Sequence, residues 1–179
     1  RIVAAAVPGE AYWVVAPLDG SYNYLRGLPE CCVSIGLGKD GAAVLGAVYD
    51  FTRAEMFTGI SDAGAWLNGR RIRVSRISKP AQAALCTGFP VFADYSAAGL
   101  RAAVDKVRAY RKIRCLGSAA LMLAYVAAGR IDAYEEDGIR LWDVAAGLAL
   151  VLGAGGRVKA RETGKKIDCY HVRATNGRL

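Results

Sequence analysis

The apolar run Tyr12–Val15 stops at a loop rich in Pro and Gly, which predicts a short buried strand. Cys31–Gly38 predicts a second strand, and Lys39-Asp40-Gly41 a tight turn into a third over Ala43–Tyr49. Glu55–Thr58 continues the meander. Ala65–Leu67 and Arg71–Val74 flank Asn68-Gly69, a pair suited to the type I′ turn of a hairpin. The pattern then changes. Ala84–Thr87, Lys112–Cys115, Ile131–Glu135 and Val172–Thr175 read as strands, separated by helical periods. Tyr95–Arg108 carries Leu100, Val104 and Val107 on one face, an amphipathic helix. Ser118 caps a helix that runs to Ala128 and stops at Gly129. Trp142–Leu152 is a further helix, closed by Gly155-Gly156. These last two are apolar nearly all round, so both belong in a core. An antiparallel half followed by an alternating half predicts a layered α/β (α+β) fold. One domain over 1–179 is expected, with a sheet lobe over about 1–80 and an α/β lobe over about 81–179.

Composition adds limits. Hydrophobic residues make up 54% of the 179 positions and charged ones 22%, enough for a real core and against disorder. The longest apolar stretch, Ala119–Ala128, is too short to span a bilayer. Arg1–Pro8 lacks the apolar length of a secretory signal and reads as part of the domain, so a cytoplasmic protein is expected. The five Cys form no CxxC pair and His171 is the only His, which disfavours structural zinc and leaves buried thiols as the expected state. A net charge of +8 raises nucleic acid, membrane surface or a small anion as partners. The clusters Arg70/Arg71/Arg73/Arg76 and Arg108/Arg111/Lys112/Arg114 have no interleaved aromatic platform. They read as solvated faces and argue against nucleic acid.

Two carboxylates stand out. Asp19 lies in Leu18-Asp19-Gly20, which alone reads as an ordinary Asx turn. Asp143 opens an apolar helix, which alone reads as a first-turn carboxylate favoured by the helix dipole. Together they satisfy what magnesium asks of a protein: one or two carboxylates, with water and substrate phosphate completing the shell. Gly117-Ser118-Ala119 is a second helix start at which an anion can meet backbone N–H groups.

Ala16-Pro17-Leu18-Asp19-Gly20-Ser21-Tyr22-Asn23-Tyr24 matches Asp-Pro-(Ile/Leu)-Asp-Gly-(Thr/Ser)-x-Asn-(Phe/Tyr) at every position but the first, and Trp142–Gly147 matches Trp-Asp-x-Ala-(Ala/Gly)-(Gly/Ala). With Gly117–Ala120 and Gly129–Tyr134 between them, the chain resembles the inositol monophosphatase family of magnesium-dependent, lithium-sensitive sugar and inositol phosphatases. The likeness runs from about Tyr12 to Asn176. It implies a layered α-β-α-β sandwich of the sugar phosphatase type. It implies Mg2+ held by Asp19, Asp143 and the Leu18 carbonyl, and catalysis through Asp19 and Ser21. It further implies phosphate received by Gly20 and Ser21, and the sugar or inositol ring met by Gly117, Ser118, Ala119 and Glu136. The implied substrates are small phosphate esters of the inositol-1-phosphate or fructose-1,6-bisphosphate class.

The match breaks at Ala16, where the family has an Asp bridging two metal ions. The family's upstream acidic pair and most of its N-terminal helical segment have no counterpart, and Glu10 sits too near the strand to substitute. Gly153 stands where a glutamate is common. The expectation is therefore a phosphomonoesterase with weakened Mg2+ binding and impaired turnover. The alternative is an inactive phospho-sugar binding or interaction module. Apolar surface left bare by the missing helices predicts a homodimer.

Overall fold

The computed structural model describes residues 9–89, 95–163 and 168–179. The first half forms β1 (Ala11–Asp19), a short helix α1 (Ser21–Leu25), β2 (Cys32–Lys39), β3 (Ala42–Asp50), β4 (Glu55–Ile60), β5 (Gly64–Leu67) and β6 (Arg70–Ile72). These strands make one antiparallel sheet of six, in chain order. The hairpin at Asn68-Gly69 has positive φ at both central residues, 48° and 77°, as a type I′ turn requires.

The second half contributes β7 (Ala84–Cys86), α2 (Ala97–Ala109), β8 (Lys112–Arg114), α3 (Ala119–Ala127), β9 (Ala133–Arg140), α4 (Leu141–Gly153), β10 (Arg157–Glu162) and β11 (Cys169–Thr175). The five strands order as β10-β11-β9-β7-β8, with β7 parallel to both β8 and β9. Helices α3 and α4 lie between the two sheets and touch both. Helix α2 stands on the far face of the five-stranded sheet, tied by Lys106 Nζ to Glu135 Oε1 at 2.8 Å. The layers thus run α-β-α-β.

Small residues explain the close docking of α4. Gly36, Gly46 and Gly59 align across β2, β3 and β4, with Ala65 next to them on β5. A Cβ on Gly46 would fall 2.1 Å from the Ala146 carbonyl oxygen, and one on Gly36 would fall 2.8 Å from the Ala146 nitrogen. The helix backbone therefore rests directly on the sheet. Gly147 does the same for the helix pair, since a Cβ there would lie 2.4 Å from Leu123 Cβ. Leu121, Leu123, Val126, Val144, Leu150 and Val151 fill the layer around these contacts and are fully buried.

Three features depart from the sequence pattern. Strand β10 and helix α1 carry no clear period and were not foreseen. Strand β9 runs on to Arg140, which places Glu136 within a strand. Helix α2 forms, but Leu100, Val104 and Val107 remain 47%, 52% and 58% exposed, because the helix stands off the sheet over a groove of about 630 Å³. Both basic clusters are exposed. Cys31, Cys32, Cys86 and Cys169 are buried and Cys115 is exposed, all as free thiols. No helix among the described residues is long and apolar enough to cross a membrane.

Candidate active site

Strand β1 is irregular where it matters. Ala16 pairs with Ser34, and the next pair is Asp19 with Cys32, so three steps on β1 face two on β2. In a regular strand, positions three apart point to opposite faces. The bulge at Pro17-Leu18 returns Asp19 to the same inner face as Ala16, and both are buried. Gly20 follows in a left-handed conformation, φ 76°, and its missing side chain leaves room for the Glu30 carbonyl, 2.4 Å from where a Cβ would stand.

The Asp19 carboxylate meets the start of α3. Its Oδ2 accepts from Ser118 Oγ at 2.6 Å and from Ala120 N at 2.8 Å. The Gly20 N–H also donates to this carboxylate. Burial nevertheless pushes the Asp19 pKa up, because three donors do not replace the lost water. Ser118 caps the helix as its sequence foretold, accepting from Leu121 N at 3.4 Å. Asn23 holds the surrounding loops together. Its Nδ2 donates to the Glu30 carbonyl at 2.8 Å and the Leu116 carbonyl at 2.7 Å.

Asp143 sits in the first turn of α4 and faces the same cleft. Burial, then the charge of Asp19, push its pKa up to about 7. Glu136 enters from β9. Its Oε2 accepts from Tyr134 Oη at 3.0 Å, and its carboxylate occupies the space a Gly88 side chain would fill. Burial first, and then the charges of Asp143 and Asp19, bring the Glu136 pKa to about 7 against the opposing Tyr134 bond. The charges of these acids oppose one another, so each favours the protonated form of its neighbour.

The candidate site residues named from the sequence all line one cleft of about 590 Å³: Ala16, Leu18, Asp19, Gly20, Ser21, Gly117, Ser118, Ala119, Glu136 and Asp143. Phe89, Met122 and Ile139, which sequence reasoning did not assign to a site, add to its apolar wall beside Tyr22. Phe89 follows the C-terminal end of β7, a place where ligand-facing residues collect in α/β sheets.

The donor set can be tested against magnesium. Asp19 and Asp143 offer hard oxygens in a cleft where their charges already interact, which fits one ion completed by water and phosphate. A carboxylate-bridged pair of ions does not fit. Position 16 presents a methyl group, and no group of three or more His, Cys, Asp or Glu side chains among the described residues is placed to hold a metal.

This β-α-β core, with a Leu-Asp-Gly bulge facing a Trp-Asp helix start, defines a sugar phosphatase-like domain. The sequence profile of the inositol monophosphatase family matches residues 4–176. The chain is 48% identical over 147 residues to a Xylella fastidiosa protein named Nus factor SuhB, covering 82% of this chain and 54% of that one. It is 40% identical over 154 residues to inositol-1-monophosphatase of Mesorhizobium japonicum, covering 86% and 58%. The solved structure of inositol monophosphatase from Anabaena (Nostoc) superposes with a TM-score of 0.86 at 40% identity, covering 97% of this chain and 70% of that one. The chain belongs to the inositol monophosphatase family. It spans about half the length of the curated relatives it matches.

Proposed function

We propose that this chain is a magnesium-dependent phosphomonoesterase-type domain for inositol or sugar phosphates, with turnover impaired by Ala16. The observation that carries this reading is that Asp19, Asp143 and Glu136 line one cleft. Asp19 and Asp143 would hold Mg2+, with the Leu18 carbonyl beside the bulge as a further oxygen. Bound magnesium supplies positive charge that acidifies water and offsets the charge of phosphoryl transfer. Ser21, at the exposed start of α1 and on the cleft wall, would orient an attacking water or a phosphate oxygen. The Gly20 N–H already serves Asp19, so phosphate would compete for it or rely on Ser21. Glu136 would accept hydrogen bonds from ring hydroxyls, with its position held by Tyr134. Gly117, Ser118 and Ala119 would border the ring on the α3 side.

A second reading is an interaction or phospho-sugar binding module without turnover. Ala16 favours it, as does a relative whose name, Nus factor SuhB, is not that of an enzyme. We further read the protein as cytoplasmic, and as a homodimer that covers the outer face of the six-stranded sheet. That face exposes Trp13, Val15, Tyr49, Met56 and Ile60. A monomer by light scattering would remove the dimer from the account. Magnesium titration with a phosphate-release assay on inositol-1-phosphate and fructose-1,6-bisphosphate separates the two functional readings. Slow Mg2+-dependent release supports the impaired enzyme. Binding without release supports the module.

A further inference from the structure

Ser34 carries the single buried side-chain oxygen without a hydrogen-bond partner among the described residues, and it is 1% exposed. A hydroxyl sealed in this way costs free energy that an Ala would avoid, so an orphan in a well-packed core calls for a reason. Its neighbours supply one. Ser34 stands directly opposite Ala16 in the β1–β2 ladder, and both side chains face the inner side. Directly opposed antiparallel residues hold their Cβ atoms about 4.5–5.5 Å apart, a span that a hydroxyl-to-carboxylate hydrogen bond closes. The other partner across the sheet, Val48, offers no acceptor. Nor does Gly36, further along β2, while Cys32 lies towards Ser118, with its Sγ 3.7 Å from Ser118 Oγ. The bulge at Pro17-Leu18 brings positions 16 and 19 to one face, an irregularity that a methyl group at 16 does not use.

We infer that Ser34 is a positioning residue, its hydroxyl set to donate to a carboxylate at position 16, so that the site keeps the mould of an acid that Ala16 no longer supplies. The inference rests on the metal-site reading above for its second readout only. The first readout needs neither metal nor substrate. Ser34→Ala is measured by urea denaturation in three backgrounds: the parent chain, Ala16→Asn and Ala16→Asp. In the parent, the midpoint stays level or rises, because an unpaired hydroxyl leaves the core. In both substituted backgrounds the same change lowers it. The second readout is Mg2+ binding by calorimetry. Ala16→Asp binds more tightly than the parent, and adding Ser34→Ala loses about tenfold, the usual effect of removing a ligand's hydrogen-bond partner. Equal midpoint shifts in all three backgrounds overturn the inference. So does failure of both Ala16 variants to fold, since a site moulded for such a side chain accommodates Asn or Asp. If the midpoints diverge as stated but no variant binds Mg2+, Ser34 keeps its role at position 16 and the magnesium reading falls.

Discussion

On the proposed reading Asp19 has two separable tasks, to order the start of α3 and to hold Mg2+, and two substitutions divide them. Asp19→Ala removes the oxygen that accepts from Ser118 Oγ at 2.6 Å and Ala120 N at 2.8 Å. Ser118 and Ala120 are both buried, and each buried donor left unmatched costs about 1–3 kcal/mol. Loss of negative charge at the start of α3 adds about 0.5 kcal/mol. Relief acts the other way. The carboxylate is itself costly to bury and raises the pKa of Asp143 and Glu136, so its removal returns about 1 kcal/mol. The net cost is about 1.5–5.5 kcal/mol, or about 3–22 °C in Tm for a chain of this length. Asp19→Asn keeps an acceptor for both donors and discards the charge, so without metal its Tm at pH 7 stays within about 2 °C of the parent or rises above it. Differential scanning calorimetry with and without Mg2+ then separates the roles. At ten times its dissociation constant, Mg2+ stabilises the parent by about 1.4 kcal/mol and raises Tm by about 3–6 °C. Asp19→Asn shows no such rise. An Asn variant as unstable as the Ala variant would refute the hydrogen-bond reasoning. An equal Mg2+ response in parent and Asn variant would refute Asp19 as a ligand.

Three further outcomes are expected. The pKa values of Asp143 and Glu136 are raised from 3.8 and 4.5 to about 7 each, so the folded state binds protons more tightly than the unfolded state between those limits. Stability without metal therefore falls as pH rises from about 5 to 7, by about 2 kcal/mol after discounting for solvent access and coupling, and Mg2+ flattens the slope; urea midpoints across pH check the sign. Gly46→Ala forces a Cβ to within 2.1 Å of the Ala146 carbonyl oxygen, a backbone atom that cannot swing aside, and should cost about 3 kcal/mol or more in thermal unfolding. Asn23→Ala strips donors from the Glu30 and Leu116 carbonyls and should cost about 1–3 kcal/mol, with faster hydrogen exchange at the loops framing the cleft.

Periodicity alone located most elements, because each strand and core helix repeats its apolar positions on its own scale. Helix α3 shows this well: its cap Ser118, its all-round apolar body and its Gly129 stop are local facts. Strand β10 shows the limit. Its residues Arg157–Glu162 are mostly exposed, so no burial pattern marks them, and only pairing with β11 makes them a strand. Helix α2 shows another. Its Leu/Val face is real, but the sequence could not say that a groove would keep that face half open.

Two acids of the candidate site, in a Leu-Asp-Gly turn and a Trp-Asp helix start, stand out in consecutive residues, whereas Glu136 and the gap at Ala16 were legible only through the family resemblance. The meeting of these acids was not legible. Asp19 reaches the cleft through a bulge that shows only in the register between β1 and β2. It is held by a helix start about a hundred residues away in the chain. The raised pKa values of Asp143 and Glu136 arise from burial and from charges brought near by folding, neither of which a linear sequence contains. The unpartnered Ser34 hydroxyl is the clearest case: in the sequence it is one serine in an apolar strand, and only the strand opposite gives it meaning. Sequence set which groups are available and how each segment folds locally; tertiary structure decided which of them share a dielectric, a hydrogen bond and a charge, because those interactions act through space rather than along the chain.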